Sequence, residues 1–174
     1  MNKNSLARLL MARGTFIAVG VIFILWQILP FDMTADRLPW PDFFYCITMA
    51  CVVRRPEWVP VWAIFLVFFL RDILTMAPPG LFTLAILLGS EIVRLNLQAF
   101  RGYHILLEWL WMTAIFILIM LGQQIILRLM LVQTPLFVGQ LWLVLLTAFA
   151  YPGVVFVLKF AFGIPRPQSG KYDG

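Results

Sequence analysis

The polar connections between the apolar segments of this chain are short. The longest covers residues 30–42, or 13 positions. A soluble segment needs about 40 residues to fold independently, so no separate soluble domain fits between the apolar segments. Charged residues make up 12% of the chain and hydrophobic residues 63%, whereas soluble domains carry roughly 25% charged residues. The sequence therefore predicts an integral membrane protein, and it excludes an ATPase or another large catalytic domain.

Six apolar segments are each predicted to form a transmembrane helix of an all-α, polytopic protein. They cover residues 14–29, 41–53, 59–70 with an extension to 74, 81–93, 105–132 and 137–162. The second, third and fourth are short, because thirteen helical residues rise about 20 Å and the hydrocarbon core is about 30 Å thick. The first segment lacks a small-residue cleavage pattern after it, so it is expected to remain as an anchor.

The distribution of basic residues predicts that both termini lie in the cytoplasm. Cytoplasmic loops retain the basic residues, and this rule also explains the net charge of +5 without nucleic acid. Residues 1–13 are then a cytoplasmic segment, 14–162 the helical domain, and 163–174 a disordered cytoplasmic tail. With six spans, the inner side holds Lys3, Arg8, Arg13, Arg54, Arg55, Arg94, Arg101, Lys159, Arg166 and Lys171, and the outer side holds Arg37, Arg71 and Arg128.

Charged residues at the predicted outer side stand where two apolar segments begin and end. Asp42 opens the second segment, and Arg71 with Asp72 closes the third, just before the Pro78-Pro79-Gly80 turn. An antiparallel hairpin would bring Asp42 level with Arg71. We expect either a pair between Asp42 and Arg71 or capping of the loop's backbone donors by Asp72. Plain interfacial solvation and a ligand or partner site are the alternatives.

Charged residues at the predicted inner side are mostly interpreted as anchors in the lipid headgroups. These are Arg54, Arg55, Glu57, Arg101, His104 and Glu108. Glu91 is the exception, since it precedes Arg94 by three positions, the spacing of neighbouring side chains on a helix, and an ion pair is expected. His104 and Glu108 are four apart and would lie on one face, although an interfacial role is the simpler interpretation of the histidine.

The sequence offers few groups for catalysis or metal binding. Ser90 and the single histidine, His104, are the one candidate for a serine and its base, but a serine after a glycine in a membrane helix ordinarily serves packing. Cys46 and Cys51 lie in one apolar segment and are expected to be buried, inert thiols. The single histidine, the two cysteines of one segment and the scattered carboxylates offer no set of metal ligands. We expect no enzyme activity, no cofactor and no metal.

Binding of other membrane helices is the function that remains. The charges cluster at the two faces, so the chain of acids that proton-coupled transport uses is missing. A bundle that encloses a small-molecule cavity is the alternative. Gly14 and Ala18 have the small-xxx-small spacing that lets another helix approach closely.

The motifs between residues 41 and 81 resemble those of the MreD family of rod shape-determining proteins. The matching features are Pro41-Asp42, Arg54-Arg55-Pro56, Arg71-Asp72-Ile73-Leu74 and Pro78-Pro79-Gly80-Leu81, and the resemblance in length and hydropathy covers roughly residues 10 to 160. Asp42, Asp72, Pro79 and Gly80 are the positions that carry over from the family motif. They are structural and interface candidates, together with Arg71, Glu91 and Arg94.

The resemblance implies a non-enzymatic scaffold in the bacterial inner membrane. Such a protein binds the single-span protein MreC and acts with RodA, its class B penicillin-binding partner and, indirectly, MreB, in peptidoglycan synthesis and cell shape. The family's fold is similar to that of the S-components of energy-coupling-factor transporters. A vitamin-binding S-component, of similar size and also without its own ATPase, is therefore the alternative function.

Overall fold

The computed structural model describes residues 3–28, 40–75, 78–102, 104–131 and 137–161. In these ranges the chain is all-helical, without a strand. The helices are α1 (Lys3–Ile28), α2 (Phe43–Arg54), α3 (Val61–Leu74), α4 (Leu81–Leu95), α5 (Leu97–Gly102), α6 (Ile105–Leu129) and α7 (Phe137–Ala161). The predicted tail, residues 163–174, lies outside the described residues.

Among the residues that the structure describes, three helices are long and apolar enough to cross a membrane. They comprise Leu6–Ile28 of α1, Ile105–Leu129 and Val138–Phe160 of α7. By contrast, α2, α3 and α4 have 12, 14 and 15 residues, which corresponds to lengths of about 18–22 Å, below the roughly 30 Å of a hydrocarbon core. The all-α prediction is confirmed, whereas the count of six spans stays a prediction.

The outside of the bundle is apolar. Large side chains such as Met11, Leu118 and Phe149 are exposed on the three long helices. Soluble proteins rarely expose contiguous apolar patches of more than a few hundred Å². The long helices are therefore consistent with a membrane protein, because lipid would cover the apolar side chains that the bundle leaves exposed.

The helix boundaries follow the apolar segments with two differences. α1 begins at Lys3, ahead of the apolar run that predicts a start at Gly14, and the short helix α5 was not predicted. α7 continues through Pro152. Both differences involve segments with polar residues at a helix end, where an apolar run is a poor guide to helix length.

α2 is the central element. Ten of its twelve residues are buried, and it packs on α4, α5 and α7, while α3 lies between α1 and α4, and α6 contacts α4 and α7. A row of phenylalanine rings joins the first four helices: Phe16 and Phe44 are 5.4 Å apart, Phe44 and Phe68 5.0 Å, and Phe68 and Phe82 5.9 Å between centroids. Tilted rings at such distances attract one another beyond their burial.

Gly20 lets α1 approach α3 closely. A Cβ at this position would lie 2.5 Å from Val67 Cγ1 and 2.7 Å from Phe44 Cζ, whereas one at Gly14 would meet nothing within 4 Å. We expect Gly20→Ala to lower the free energy of unfolding by about 1–3 kcal/mol through overpacking. SDS titration of the purified protein in micelles measures this change. Gly14→Ala in the same helix is the control, and equal behaviour of the two variants would contradict the packing argument.

Candidate functional site

The predicted pair between Asp42 and Arg71 forms. Arg71 Nη1 donates to Asp42 Oδ2 at 2.8 Å. The other carboxylate oxygen of Asp42 accepts the Tyr45 N–H at 3.0 Å, so Asp42 is also the N-cap of α2. The Arg71 guanidinium carbon lies 4.4 Å from the centre of the Phe82 ring, a cation–π contact that adds to the ion pair. The pair thus ties the start of α2 to the end of α3.

The predicted capping role of Asp72 is also confirmed. Its Oδ2 accepts the Gly80 N–H at 3.0 Å, the Thr83 N–H at 3.1 Å and the Thr83 hydroxyl at 2.8 Å. Gly80 has φ of +89°, a left-handed conformation that glycine adopts without steric cost. Pro79 is exposed in the turn before it. The carboxylate therefore fixes the start of α4 against the end of α3.

α7 joins the same region through Thr147. The Asp42 N–H donates to Thr147 Oγ1 at 3.0 Å, and Cys46 Sγ donates to the Thr147 carbonyl at 3.5 Å. We call Asp42, Arg71, Asp72, Thr83 and Thr147 the first polar cluster. It connects α2, α3, α4 and α7, and its two carboxylates are engaged in bonds within the bundle.

Exchanging the charges of Asp42 and Arg71 tests the pair. Each single reversal, Asp42→Arg or Arg71→Asp, is expected to lower the free energy of unfolding by about 2–3 kcal/mol, since it places two like charges next to each other at a largely buried site. The double exchange should restore all but about 1 kcal/mol, because an arginine at position 42 cannot accept the Tyr45 N–H as a cap. SDS titration of the three variants measures this. A double variant no more stable than either single reversal would contradict the pairing.

A second polar cluster lies at the other end of α2, where the sequence predicts only headgroup anchors. Arg54 Nη1 donates to Glu108 Oε1 at 2.9 Å and to the Ala50 carbonyl at 3.2 Å. The Tyr151 hydroxyl donates to the same Glu108 oxygen at 2.7 Å. The Arg54 and Glu108 side chains are 3% and 0% exposed. Arg54, Glu108 and Tyr151 thus join α2, α6 and α7 inside the bundle.

The interpretation of Arg54 and Glu108 as headgroup anchors is therefore wrong. Both side chains are withdrawn from the surface, whereas His104, the proposed neighbour of Glu108, is exposed at the start of α6. Glu108 stands in the sequence among leucines and tryptophan, Leu106-Leu107-Glu108-Trp109-Leu110. An acid inside an apolar run requires a partner, and this signal was available from the sequence.

The loop between α2 and α3 is held from two sides. Arg94 Nη2 donates to the Val59 carbonyl, and Arg13 Nε donates to the Glu57 carbonyl at 3.2 Å. The predicted pair of Glu91 and Arg94 is present, with Arg94 Nε 3.2 Å from Glu91 Oε1, although this contact lacks hydrogen-bond geometry. α1 and α4 are thereby both attached to the loop that follows the second cluster.

The remaining reactive side chains of the described residues are buried within the bundle. Ser90 is buried and its hydroxyl donates to the Leu87 carbonyl of its own helix at 2.8 Å. Cys46 and Cys51 are buried free thiols, as expected. In the part of the chain that the structure describes, no three histidine, cysteine or acidic residues gather as metal ligands would.

No family model, curated protein or solved structure matches this chain. Its own contacts therefore have to indicate what the bundle does. They show two polar clusters inside the bundle, each with its own ion pair. They also show an apolar exterior. This arrangement suits a rigid body that presents apolar surface to lipid or to other membrane helices.

Proposed function

We propose that the chain is a non-enzymatic membrane scaffold of the MreD type, with six spans and both termini in the cytoplasm of a bacterial cell. It binds MreC in the inner membrane and works with RodA, the class B penicillin-binding protein and, indirectly, MreB. The observation that carries the proposal is the use of the two motif carboxylates. Asp42 and Asp72 each hold two helices together, which supports a structural role for both.

The mechanism we propose is mechanical. The bundle holds α1 at a fixed angle, through Gly20 against α3 and through Arg13 on the loop after α2. The opposite face of α1 exposes Gly14 and Ala18, and a Cβ at Gly14 would meet nothing within 4 Å. Small residues allow a second helix to approach closely within a bilayer. This face is our candidate for the contact with the partner's transmembrane helix.

Affinity purification from native membranes in mild detergent tests the proposal. We expect MreC to be recovered with the tagged chain, and Gly14→Leu to reduce its recovery, because a bulky side chain blocks close approach of the helices. Gly122→Leu is the matched control, since a Cβ at Gly122 also meets nothing within 4 Å but lies on α6. Recovery of an ATPase pair with a coupling membrane subunit in place of MreC would support the S-component alternative.

Cell shape provides the second readout. Cells that lack the protein should become round and misplace wall synthesis, and Gly14→Leu should fail to restore rods while Gly122→Leu succeeds. The reason is that a scaffold without its partner contact cannot orient the periplasmic activator. Rods of unchanged width and growth after loss of the protein would contradict the proposal.

A further inference from the structure

A cleft of about 730 Å³ lies between α1 and α7, above one face of α2. Its walls are apolar and include Phe16, Val19 and Phe23 of α1, Val154 and Val157 of α7, and Ile47 of α2. Between the levels of Arg8 and Phe23, α1 rises about 22 Å, most of the depth of a hydrocarbon core. Thr15 also lines the cleft, and its hydroxyl donates to the Met11 carbonyl of its own helix at 2.8 Å.

One end of this cleft is basic. Arg8 is exposed and is the charged residue among the described lining residues, which also include Trp58. The Arg55 guanidinium carbon lies 5.9 Å from the centre of the Trp58 ring, and Lys159 follows the lining residue Leu158 at the end of α7. Glu57 is the acid nearest in sequence to Trp58. Arg13 donates to the Glu57 carbonyl, and Arg94, paired with Glu91, donates to the carbonyl of the lining residue Val59. The described cations around this end therefore outnumber the acids, and its net charge is positive.

We propose that the cleft binds one anionic phospholipid, with an acyl chain between α1 and α7 and the phosphate at Arg8. An apolar slot with a cationic end complements an amphiphile with a negative head. Basic residues near a membrane surface attract anionic lipid headgroups, and tryptophan is enriched at the level of the headgroups.

Charge argues against a partner helix in the same cleft. If the end at Arg8 is cytoplasmic, as the proposed orientation has it, a second membrane helix would also carry its lysines and arginines at that end. These would meet Arg8, Arg55 and Lys159, and like charges repel. The exposed Gly14 and Ala18 lie on another side of α1, so the lipid and the partner helix of the scaffold proposal occupy different surfaces.

Native mass spectrometry of the purified full-length chain, loaded with phosphatidylglycerol or phosphatidylethanolamine, tests the lipid site. We expect the wild type to retain phosphatidylglycerol preferentially. Arg8→Gln should reduce that retention about fivefold, the equivalent of one basic residue at a membrane surface, and leave phosphatidylethanolamine unchanged.

Filling the cleft is the complementary test. Gly153 lines the cleft, and a Cβ there meets nothing within 4 Å, so Gly153→Leu should occupy the space of the acyl chain and abolish retention of the lipid. Gly139→Leu is the matched control, because it lies on the same helix, has the same free space for a Cβ and is outside the cleft. Its retention of phosphatidylglycerol should equal that of the wild type.

Two results would overturn the lipid site. Equal retention of both lipids by the wild type and by Arg8→Gln would show ordinary bilayer contact. A photocrosslinker at Val19 that captures a peptide in native membranes, and not a lipid, would show that a protein helix fills the cleft. The scaffold proposal is tested by a separate measurement. Gly14→Leu should lose MreC binding and keep its lipid selectivity, whereas Arg8→Gln should lose the lipid and keep its MreC recovery.

Discussion

Glu108→Gln is expected to lower the free energy of unfolding by about 3–5 kcal/mol, the usual cost of breaking a buried ion pair. Glutamine preserves the shape of the side chain and an oxygen that can still accept the Tyr151 hydroxyl. It removes the negative charge, however, and the Arg54 guanidinium, 3% exposed, is left without its counter-ion. The loss therefore arises from a buried, uncompensated cation.

Removal of both charges should recover most of the lost stability. In the double variant Arg54→Met/Glu108→Gln no buried charge remains in the second polar cluster, and replacement of buried ion pairs by residues of similar volume is often neutral. Tyr151→Phe, which removes one hydrogen bond and no charge, should cost about 1 kcal/mol. SDS titration in micelles compares these variants. A Glu108→Gln protein within about 0.5 kcal/mol of the wild type, the range of surface substitutions, would contradict a buried pair.

The positions of the helices could be read from the sequence because apolar runs and helix-breaking residues coincide. α4 begins at Leu81 directly after Pro78-Pro79-Gly80, and α6 begins at Ile105 as predicted. The start of α1 at Lys3 and the whole of α5 were missed, since polar and basic residues there interrupt the apolar pattern. An apolar run indicates which residues lie in a bilayer or a core. It does not indicate how far the helix extends beyond them.

The first polar cluster was predictable in part because its members are close in the chain. Arg71 and Asp42 are 29 residues apart and sit at the facing ends of neighbouring segments, so a simple hairpin brings them together. Arg54 and Glu108 are separated by 54 residues, and Glu108 and Tyr151 by 43. Their meeting depends on how α2, α6 and α7 assemble in the bundle, a tertiary arrangement that local spacing does not specify.

The two clusters have a joint consequence for α2. Asp42 precedes the helix and Arg54 ends it, so a charged side chain is fixed at each end of the central element. α7 contacts both, through Thr147 and Tyr151. A helix held at both ends cannot slide along its neighbours without breaking a buried polar contact, so α2 is expected to keep one fixed position in the bundle.

Asp72→Ala should have the second large effect, a loss of about 3–4 kcal/mol in the free energy of unfolding. One oxygen of Asp72 accepts three hydrogen bonds, from the Gly80 N–H, the Thr83 N–H and the Thr83 hydroxyl. Each such bond contributes about 1–1.5 kcal/mol, and donors left buried without an acceptor add to the cost. Asp72 itself is 1% exposed, so little water is at hand to replace the lost acceptor.

Amide hydrogen exchange localises this effect, since the Gly80 and Thr83 amides should lose their protection in Asp72→Ala while the amides in the middle of α6 keep theirs. Thr83→Val removes one of the three donors and should cost about 1 kcal/mol. Asp72→Asn keeps a neutral acceptor oxygen, so it should fall between Asp72→Ala and the wild type. Protected Gly80 and Thr83 amides in Asp72→Ala would mean that the turn holds α4 in place by its own backbone conformation, with the left-handed Gly80 and not the carboxylate as the principal constraint.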